Sequence, residues 1–552
     1  MKSKFLGELK QSLRKNWELP ALTDYQGETI YYKDFAKRIA TLHAYFKAAG
    51  VEKGDKIALC GKNSSNWAIA FFATMSYGAV VVSILHEFDK ASVEYIVDHS
   101  DAKLFFTDKV IFDEINLDGL SKLQTAVSLD DYSLLHTQSE ELKSFFANNE
   151  AYFKKAITTD FNVNDIDWHA DDPDELAIIN YTSGTTSNPK GVMIPYRSVW
   201  SNNKFANDNL PFIERGDDVV CVLPMAHTYG LAFEIIRSIT IGCHIHFLGR
   251  LPSPQIIKEE FAKYKPKLIF SVPLIIEKIV QGHVFRAIEK DPVKTLLKIP
   301  ILNKFVRKKI RKQLEDFFGG QVHEFVIGGA ALNGEVEKFL RSIKFPFTVG
   351  YGMTETSPLI SYSSWKEFKL QSCGKPVDRM EVKIDSTHPE TKVGEILTRG
   401  TNVMLGYYKN GAATKEAFTD DGWMRTGDLG VMDKDGFIFI KGRNKNLILS
   451  ASGQNIYPEE IEEKLNNLSG VQESLAIEEE GKVVALIYPD EEALDANNIQ
   501  SHNYQTYFEG IIKEVNKSLA TYSQIRSFRL QNEEFDKTPK RSIRRFKYME
   551  QE

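Results

Sequence analysis

The chain repeats one pattern many times: a short apolar run followed by a segment long enough to hold a helix. Examples of these runs are Leu176 to Ile179, Val219 to Leu223, Leu268 to Val272 and Phe325 to Ile327. Runs of this length are typical of strands buried on both faces, and helix-length connections are typical of parallel strands. The pattern therefore predicts an α/β fold with a large N-terminal domain of parallel-rich sheets flanked by helices.

The pattern changes toward the C-terminus. After about Thr391, short strands with turn signals follow one another, as in the segments GEILTRG and DKDGFIFIKGR, and predict a β-rich subdomain. From Leu447 onward there is a helix with Pro458 near its first position, a strand-like run from Val483 to Tyr488 and a helical run around Phe508 to Leu519. These elements predict a small α+β C-terminal domain.

Composition narrows the range of functions. Lys and Arg number 69 against 75 Asp and Glu, and a net charge of −6 over 552 residues gives no signal for a nucleic-acid partner. The four cysteines lie far apart without a CxxC pair, which favours neither a disulfide framework nor a zinc site. Such cysteine usage is typical of a reducing compartment. The N-terminal segment MKSKFLGELKQSLRKNWELP carries charges throughout and lacks the apolar core of a secretory signal, so we expect a cytoplasmic protein.

One uncharged stretch, from Trp67 to Leu85, is about long enough to cross a bilayer. Gly78 interrupts this stretch, and the residues from Val80 to Ile84 are mostly β-branched. We therefore favour a buried helix that turns into a buried strand over a transmembrane helix.

The segment YTSGTTSNPKG, Tyr181 to Gly191, has the composition of a phosphate-binding loop and follows an apolar run. Its small residues allow backbone N–H groups and hydroxyls to approach an anion, and Lys190 adds a positive charge. It is not the loop of P-loop kinases, because Lys190 precedes Gly191 instead of following it. A plain Ser/Thr/Gly surface loop is the alternative.

A second segment, TVGYGMTET, runs from Thr348 to Thr356. Tyr351 offers a ring for stacking on a base, Thr354 a hydroxyl for a phosphate, and Glu355 a hard oxygen ligand for Mg²⁺. Taken alone, the segment also fits a structural role with Tyr351 in the core and Glu355 in solvent.

Three further segments complete a family pattern: IGGAAL at 327–332, WMRTGDLG at 423–430 and GRNKNLILSASGQNIYPEEIE at 442–462. In this order, from about residue 20 to the C-terminus, the segments resemble the adenylate-forming (AMP-binding) superfamily. That superfamily contains acyl-CoA synthetases, firefly-type luciferases and adenylation domains of peptide synthetases, and the chain looks most similar to long-chain fatty acid–CoA ligases. The resemblance implies an AMP-binding N-terminal domain, residues 1–444, and a mobile C-terminal lid domain, residues 445–552.

The resemblance also implies which residues bind the nucleotide. It implies that Thr185 and Lys190 of the phosphate loop are catalytic. The residues implied to contact the ATP β- and γ-phosphates are Thr182, Ser183, Gly184, Thr185, Thr186 and Lys190. Adenine and the ribose hydroxyls would be held by Gly329, Ala330, Tyr351, Gly352, Asp428 and Arg443. Thr354 would contact the α-phosphate and Glu355 would bind Mg²⁺. Asp428 also fits an ordinary turn, and Arg443 an ordinary surface charge.

Other matched positions concern the acyl group, the thiol and the hinge. His227, in LPMAHTYG, matches a residue near the acyl and pantetheine channel, with a structural histidine as the alternative. Gly453 matches a glycine that lines the path of the thiol, and Lys445 stands at the hinge position. Ser187 departs from the family pattern, which usually has glycine there.

A second departure concerns the lysine that family members use in adenylation, within a TPxxK-I-x-R type segment. The corresponding run here is KTPKRSIRR, in which an ungapped alignment puts Ser542 at the lysine position. Residues two apart in an extended segment share a face and are offset by roughly 6.6 Å, which a lysine side chain can span. We therefore predict Lys540 as the substitute. A weakened enzyme without a substitute and a solvated basic tail remain the alternatives.

The implied reaction has two halves. A medium- or long-chain fatty acid attacks ATP to give acyl-AMP and pyrophosphate, with Mg²⁺ as cofactor, and coenzyme A then displaces AMP to give acyl-CoA. Neither half needs a protein nucleophile. Alternatives are an acyl-AMP or acyl-carrier-protein ligase and a non-catalytic relative that binds nucleotide and fatty acid. The acyl chain length and the oligomeric state are left open.

The segment 283–318 is both basic and apolar, with Lys304, Arg307 and Lys308 among its cations and Phe305 and Ile310 among its apolar residues. A basic amphipathic helix can lie on an anionic membrane where fatty acids partition. We favour the alternative, a helix packed on the domain with its charges in water.

Overall fold

The structure is a computed structural model that describes residues 4–147, 160–182, 189–249, 252–288, 293–450, 454–538 and 543–549. Its largest sheet has eight strands. In spatial order these are Gly406–Tyr407, Lys190–Pro195, Leu176–Thr182, Val80–Ile84, Lys56–Cys60, Ala102–Thr107, Thr125–Ser128 and Leu134–Thr137. The five central strands are parallel, and the strands at both edges are antiparallel.

The uncharged stretch lies inside this domain. Helix Ser65–Tyr77 begins where the Ser64 side chain accepts the N–H of Trp67, and it ends at Gly78, whose φ of +89° suits glycine. The fully buried strand Val80–Ile84 follows directly. The prediction of a buried helix and strand is therefore confirmed. In the part of the chain that the structure describes, no helix is both long and apolar enough to span a bilayer.

Two smaller sheets complete the parallel-rich part. One, here called the mixed sheet, has the strand order Asp218–Cys221, His244–Phe247, Pro20–Asp24 and Thr29–Tyr31, with only the last strand antiparallel. The other is fully parallel, with strands Leu268–Ser271, Glu324–Ile327 and Phe347–Val349. Each apolar run that the sequence analysis singled out forms a strand over most of its length, and two of the runs extend one or two residues beyond the strand end. The α/β prediction is confirmed.

Helices connect and cover these sheets. Helix Tyr32–Ala48 buries an apolar face that includes Phe35, Ile39, Leu42 and Phe46, which recur at helical spacing. Besides Ser65–Tyr77, the other α-helices of four residues or more among the described residues of this part are Phe5–Lys15, Lys90–His99, Lys109–Phe112, Glu140–Ala147, Tyr196–Asn209, Arg237–Ile241, Pro254–Tyr264, Pro273–Ile279, Val293–Leu297, Pro300–Phe317 and Gly334–Ser342.

The basic segment 283–318 is not one continuous helix. It contains the end of a π-helix, Val280–Phe285, then short helices at Arg286–Ile288 and Val293–Leu297. Only Pro300–Phe317 is long, and it begins at a proline, which is favoured in the first turn because that turn leaves its N–H groups without helical partners.

The β-rich subdomain has a four-stranded antiparallel sheet of strands Met380–Asp385, Gly394–Gly400, Met424–Met432 and Ile438–Arg443. It therefore begins about ten residues before the change of pattern at Thr391. A three-stranded sheet lies beside it in sequence, with strands Tyr351–Gly352, Leu359–Tyr362 and Lys375–Pro376.

The C-terminal part has its own three-stranded sheet and its own apolar core. Its strands are Val471–Glu479, Lys482–Pro489 and Ile525–Leu530, and its helices are Pro458–Asn466, Glu491–Ala496 and Tyr504–Lys517. Pro458 is the first helical residue, as expected. The α+β prediction is confirmed, whereas the boundary between residues 444 and 445 stays a prediction.

Candidate nucleotide and acyl-activation site

Tyr351, Asp428 and Arg443 form a hydrogen-bonded chain. The Tyr351 hydroxyl donates to Asp428 Oδ2 over 2.7 Å, and Arg443 Nε lies 2.9 Å from Asp428 Oδ1. Asp428 and Arg443 are direct partners on antiparallel strands, so the backbone register holds the ion pair. The Arg443 side chain is 60% exposed and that of Asp428 only 7%. The predicted ribose-binding pair is therefore a buried carboxylate with a guanidinium at its solvent side.

Asp428 and Arg443 each favour the charged form of the other. Burial raises the pKa of Asp428, and the guanidinium of Arg443 opposes that rise. The carboxylate of Asp428, followed by weaker effects that include Glu355, raises the pKa of Arg443. Arg443 is therefore more than an isolated surface charge.

Tyr351 is itself a core residue. It is 8% exposed and packs with the apolar cluster that contains Ile360 and Ile438. Its neighbour Gly352 is exposed, and its backbone lies so close to the Pro358 carbonyl oxygen that a side chain at this position would collide with it. Tyr351 therefore lies in the core, as the structural alternative expected. Stacking of its ring on adenine stays a prediction.

Glu355 and Lys190 approach the same tyrosine from distant parts of the chain. Glu355 lies in the 3₁₀ turn Thr354–Thr356 and is 9% exposed, so it is not in open solvent. The Tyr407 hydroxyl donates to Glu355 Oε1 over 2.8 Å, and the Lys190 ammonium lies 5.3 Å from the centre of the Tyr407 ring. Pairing of the short edge strand Gly406–Tyr407 with Lys190–Pro195 brings Tyr407 beside Lys190. Glu355 is held next to this edge strand because its carbonyl oxygen accepts the N–H of Met404 over 2.9 Å.

Comparison with known proteins identifies the family. The model of the AMP-binding enzyme family matches residues 9–408, and that of the AMP-binding enzyme C-terminal domain matches residues 445–551. The chain belongs to the AMP-binding enzyme family. The resemblance drawn from the sequence segments is therefore confirmed.

Curated relatives and solved structures of the family cover most of this chain. It is 27% identical to the probable acyl-activating enzyme 16 of Arabidopsis thaliana chloroplasts, over 85% of this chain and 74% of the relative. It is 28% identical to the long-chain-fatty-acid–CoA ligase FadD15 of Mycobacterium bovis, over 81% and 75%. Among solved structures, ATP-bound MatB of Rhodopseudomonas palustris has a TM-score of 0.78 at 21% identity, over 99% of this chain and 98% of that one. O-succinylbenzoate CoA synthetase (MenE) of Bacillus subtilis has a TM-score of 0.75 at 22% identity, with the same coverage. At these identities the structures establish the shared AMP-binding fold.

In this AMP-binding enzyme, Tyr407 is a candidate site residue that the sequence analysis missed. Burial, and then the charge of Glu355, raise the pKa of Tyr407 far above neutrality, so the hydroxyl keeps its proton and donates. The only local signal is the run Gly-Tyr-Tyr at 406–408. That run does not indicate by itself that it pairs with the strand carrying Lys190.

The residues around Glu355 fit a magnesium ion. Mg²⁺ commonly takes one or two protein carboxylates and completes its shell with phosphate and water oxygens. Glu355 supplies a buried carboxylate that Tyr407 orients, and Lys190 near the same ring can meet the phosphates. One protein ligand beside a cation is therefore a sufficient donor set when the nucleotide brings the rest.

The other described candidates lie at the end of a strand or in the turn or short helix that follows one. Gly329 and Ala330 are exposed just after strand Glu324–Ile327, and Gly329 has a φ of +90°. His227 is half-buried, and its Nδ1 accepts the N–H of Tyr229 over 3.2 Å at the start of the helix Thr228–Gly230. Thr182 ends the strand Leu176–Thr182. Lys445 is exposed in the turn Asn444–Asn446, directly after Arg443.

Several predicted residues lie outside the described part of the chain. They are Ser183, Gly184, Thr185 and Thr186 of the phosphate loop, Gly453 of the thiol path and the adenylation lysine candidate Lys540. Ser187 and Ser542, the two departures from the family pattern, lie outside it as well.

Proposed function

We propose that this chain uses ATP and Mg²⁺ to activate a medium- or long-chain fatty acid as acyl-AMP, and then transfers the acyl group to coenzyme A. The observation that carries the proposal is the approach of Lys190 and Glu355 to Tyr407, beside Thr354. An ammonium, a carboxylate and a hydroxyl at one place suit a triphosphate with its metal ion.

In the first half-reaction a fatty-acid carboxylate oxygen bonds to the α-phosphorus and pyrophosphate leaves. Both reactants are anions, and bound Mg²⁺ offsets their repulsion. Lys190 would hold the phosphate oxygens and Glu355 the metal, with Tyr407 fixing the carboxylate of Glu355. Asp428 would accept hydrogen bonds from the ribose hydroxyls, and Arg443 opposes the rise that burial causes in the pKa of that carboxyl. Catalysis would consist of positioning and charge stabilisation.

In the second half-reaction the thiol of coenzyme A attacks the acyl carbonyl and AMP leaves. Support for a fatty acid comes from the long-chain-fatty-acid–CoA ligases among the curated relatives. Transfer to a carrier protein is the second candidate, because a long-chain-fatty-acid–[acyl-carrier-protein] ligase of Arabidopsis thaliana is 27% identical to this chain. The cysteines are buried and unpaired, which fits a reducing compartment such as the cytoplasm.

The first experiment measures fatty-acid-dependent ATP–pyrophosphate exchange in the wild type and in Glu355→Gln. We expect exchange to fall by about 100-fold in the variant because metal positioning is lost. Glu381→Gln is the matched control, since Glu381 is exposed and ion-paired with Arg399. Folded wild-type protein without exchange would overturn the proposed function, and an unaffected Glu355→Gln would overturn only the role of Glu355.

A second experiment identifies the substrates. Free acids of increasing chain length, together with o-succinylbenzoate and malonate as short diacids, are supplied with either coenzyme A or acyl-carrier protein. We expect the highest kcat/KM for a medium- or long-chain acid with coenzyme A. A preference for a short diacid, or for the carrier protein, would contradict the corresponding part of the proposal.

The sequence analysis favoured packing of the basic helix on the domain, but the exposure of Phe305 favours the alternative, and we also propose that helix Pro300–Phe317 contacts an anionic membrane. Its C-terminal end packs on the domain through Leu314, which is 3% exposed, whereas Phe305 near its N-terminal end is 70% exposed. Six basic and two acidic side chains give the helix a net charge of +4. An exposed aromatic ring among cations suits a lipid surface with anionic headgroups.

Vesicle sedimentation tests this contact. Wild-type protein is expected to bind vesicles of phosphatidylcholine with phosphatidylglycerol and to bind pure phosphatidylcholine weakly. Phe305→Asp should abolish most of the binding, whereas Val110→Asp, at a site 75% exposed on another helix, should leave it unchanged. Equal binding by wild type and Phe305→Asp would refute the proposal.

A further inference from the structure

Three metal-ligating side chains project from one face of the mixed sheet. Asp218 begins the strand Asp218–Cys221, and His244 and His246 lie on the neighbouring parallel strand His244–Phe247. Asp218 is the direct partner of His244, and side chains two residues apart share a face, so the backbone register brings the three together. One ligand atom from each lies within 4.8 Å of the other two.

The distances suit a shared ion. Asp218 Oδ1 lies 2.7 Å from His246 Nε2 and 3.4 Å from His244 Nδ1. Tetrahedral coordination with bonds of roughly 2.0 Å separates ligand atoms by about 3.3 Å, which is between these two values. The Asp218 side chain is 40% exposed, so its carboxylate can turn to admit an ion and a water molecule from solvent.

Neighbouring side chains already orient both imidazoles. Thr23 Oγ1 lies 2.8 Å from His244 Nε2, which leaves His244 Nδ1 facing Asp218. The Tyr264 ring stacks on His246 with ring centres 3.5 Å apart, and the His246 side chain is only 6% exposed. A hydrogen bond such as the one at His244 Nε2 sets the ring orientation and tautomer of a histidine that binds a metal, whereas the stack on Tyr264 fixes only the ring plane of His246.

We propose that Asp218, His244 and His246 bind a divalent transition ion of the zinc class. Two imidazole nitrogens and one carboxylate oxygen suit Zn²⁺ or Co²⁺, whereas Mg²⁺ and Ca²⁺ prefer oxygen ligands alone. The ion would join the edge strand Asp218–Cys221 to its neighbour, so its role would be to stabilise the mixed sheet. The site differs in ligand type from the Glu355 carboxylate and does not depend on the proposed reaction.

The test titrates the chelator-treated, full-length protein with Co²⁺ and follows visible absorption, then displaces Co²⁺ with Zn²⁺. We expect one Co²⁺ per chain with the strong absorption of a tetrahedral site. Asp218→Asn and His246→Gln should each lower affinity by at least about 100-fold, and Thr23→Val by about 10- to 100-fold, because its loss frees the ring of His244. His323→Gln, the same change at an exposed histidine on a different segment, should bind as the wild type does.

Two results would overturn the proposal. One is a wild type that shows no saturable Co²⁺ binding at about a tenfold excess of the ion over protein. The other is unchanged affinity in Asp218→Asn and Thr23→Val, which replace partly exposed side chains and are expected to fold even if the buried His246→Gln does not. Thermal unfolding of each variant without metal checks the fold, and a rise in Tm on adding Zn²⁺ to the wild type alone would support the site.

Discussion

Replacing Tyr407 with phenylalanine removes one hydroxyl and keeps the ring that faces Lys190. That hydroxyl donates to Glu355 Oε1 over 2.8 Å. A hydrogen bond to a charged group contributes about 1.5 to 3 kcal/mol, and the half-buried position of Tyr407 favours the lower part of that range. A loss of about 1.5 to 2 kcal/mol corresponds to a fall of about 10- to 30-fold in kcat/KM.

A second substitution separates the hydroxyl from the ring. Tyr407→Leu also removes the aromatic face that lies 5.3 Å from the Lys190 ammonium. Such a cation–π contact contributes about 0.5 to 1 kcal/mol, so we expect a further loss of about two- to fivefold relative to phenylalanine. The expected order of activity is wild type, then phenylalanine, then leucine.

The neighbouring residue provides a matched control. Tyr408 also donates its hydroxyl to a carboxylate, Asp101 Oδ2 at 3.0 Å, yet that carboxylate is not a candidate metal ligand. Tyr408→Phe removes the same group one residue away, and we expect less than about a twofold change in kcat/KM.

The assay is fatty-acid-dependent ATP–pyrophosphate exchange, repeated over a range of Mg²⁺ concentrations. If Tyr407 orients the metal-binding carboxylate, Tyr407→Phe should need more Mg²⁺ for half-maximal exchange as well as having a lower kcat. A Tyr407→Phe enzyme that matches Tyr408→Phe in both measurements would refute the reasoning, whereas a wild type without exchange would refute the proposed function instead.

Three further predictions concern a buried acid, the hinge and the adenylation lysine. Burial raises the pKa of Glu234 to about 8, so the stability that its protonation contributes is complete below its ordinary pKa and is lost as the pH rises through about 8. Thermal unfolding should therefore show that the stability of Glu234→Gln relative to the wild type increases by up to about 4 kcal/mol as the pH rises from about 5 to 9. A difference in stability that does not change with pH would contradict this. Lys445→Pro should slow thioester formation by about tenfold or more and adenylation much less, whereas equal losses in separate assays would indicate a damaged fold. Lys540→Ala should depress acyl-AMP formation more than thioester formation from supplied acyl-AMP, and intact adenylation together with strong acceleration by Ser542→Lys would contradict the role of Lys540.

The sequence predicted the strands because their signal is local. Each apolar run is three to five residues long and mostly buried, so its composition identifies it without knowledge of its partners. The stretch from Trp67 to Leu85 is another case, because Gly78 and the β-branched residues after it mark the change from helix to strand. These features depend on a few neighbouring residues.

The missed features depend on pairing across long distances. Tyr407 reaches the site through a two-residue strand paired with a segment more than 200 residues earlier in the chain, and no local pattern encodes that register. The Asp218 cluster was missed for the same reason. The sequence analysis looked for metal sites by the spacing of cysteines. The ligands of the Asp218 cluster are instead a His-x-His pair and an aspartate that strand pairing brings opposite the pair.

The contacts around Lys445 explain why a hinge fits this position. On one side, the Arg443 guanidinium is held by the buried Asp428. On the other side, the Asn446 amide donates to Glu459 Oε1 over 2.6 Å, on the first turn of helix Pro458–Asn466. Lys445 lies between these two anchors and is exposed, so a change of its φ and ψ would turn the C-terminal domain and leave the Asp428–Arg443 ion pair intact.

One buried polar atom beside Lys445 bears on the predicted rotation. Glu459 Oε2 is buried, lies near Gly442 and accepts no hydrogen bond from any described residue. A buried acceptor without a donor costs about 1 to 3 kcal/mol. The predicted rotation about Lys445 would move this oxygen away from Gly442 and return it to water. The contact between Gly442 and Glu459 therefore opposes the predicted rotation little.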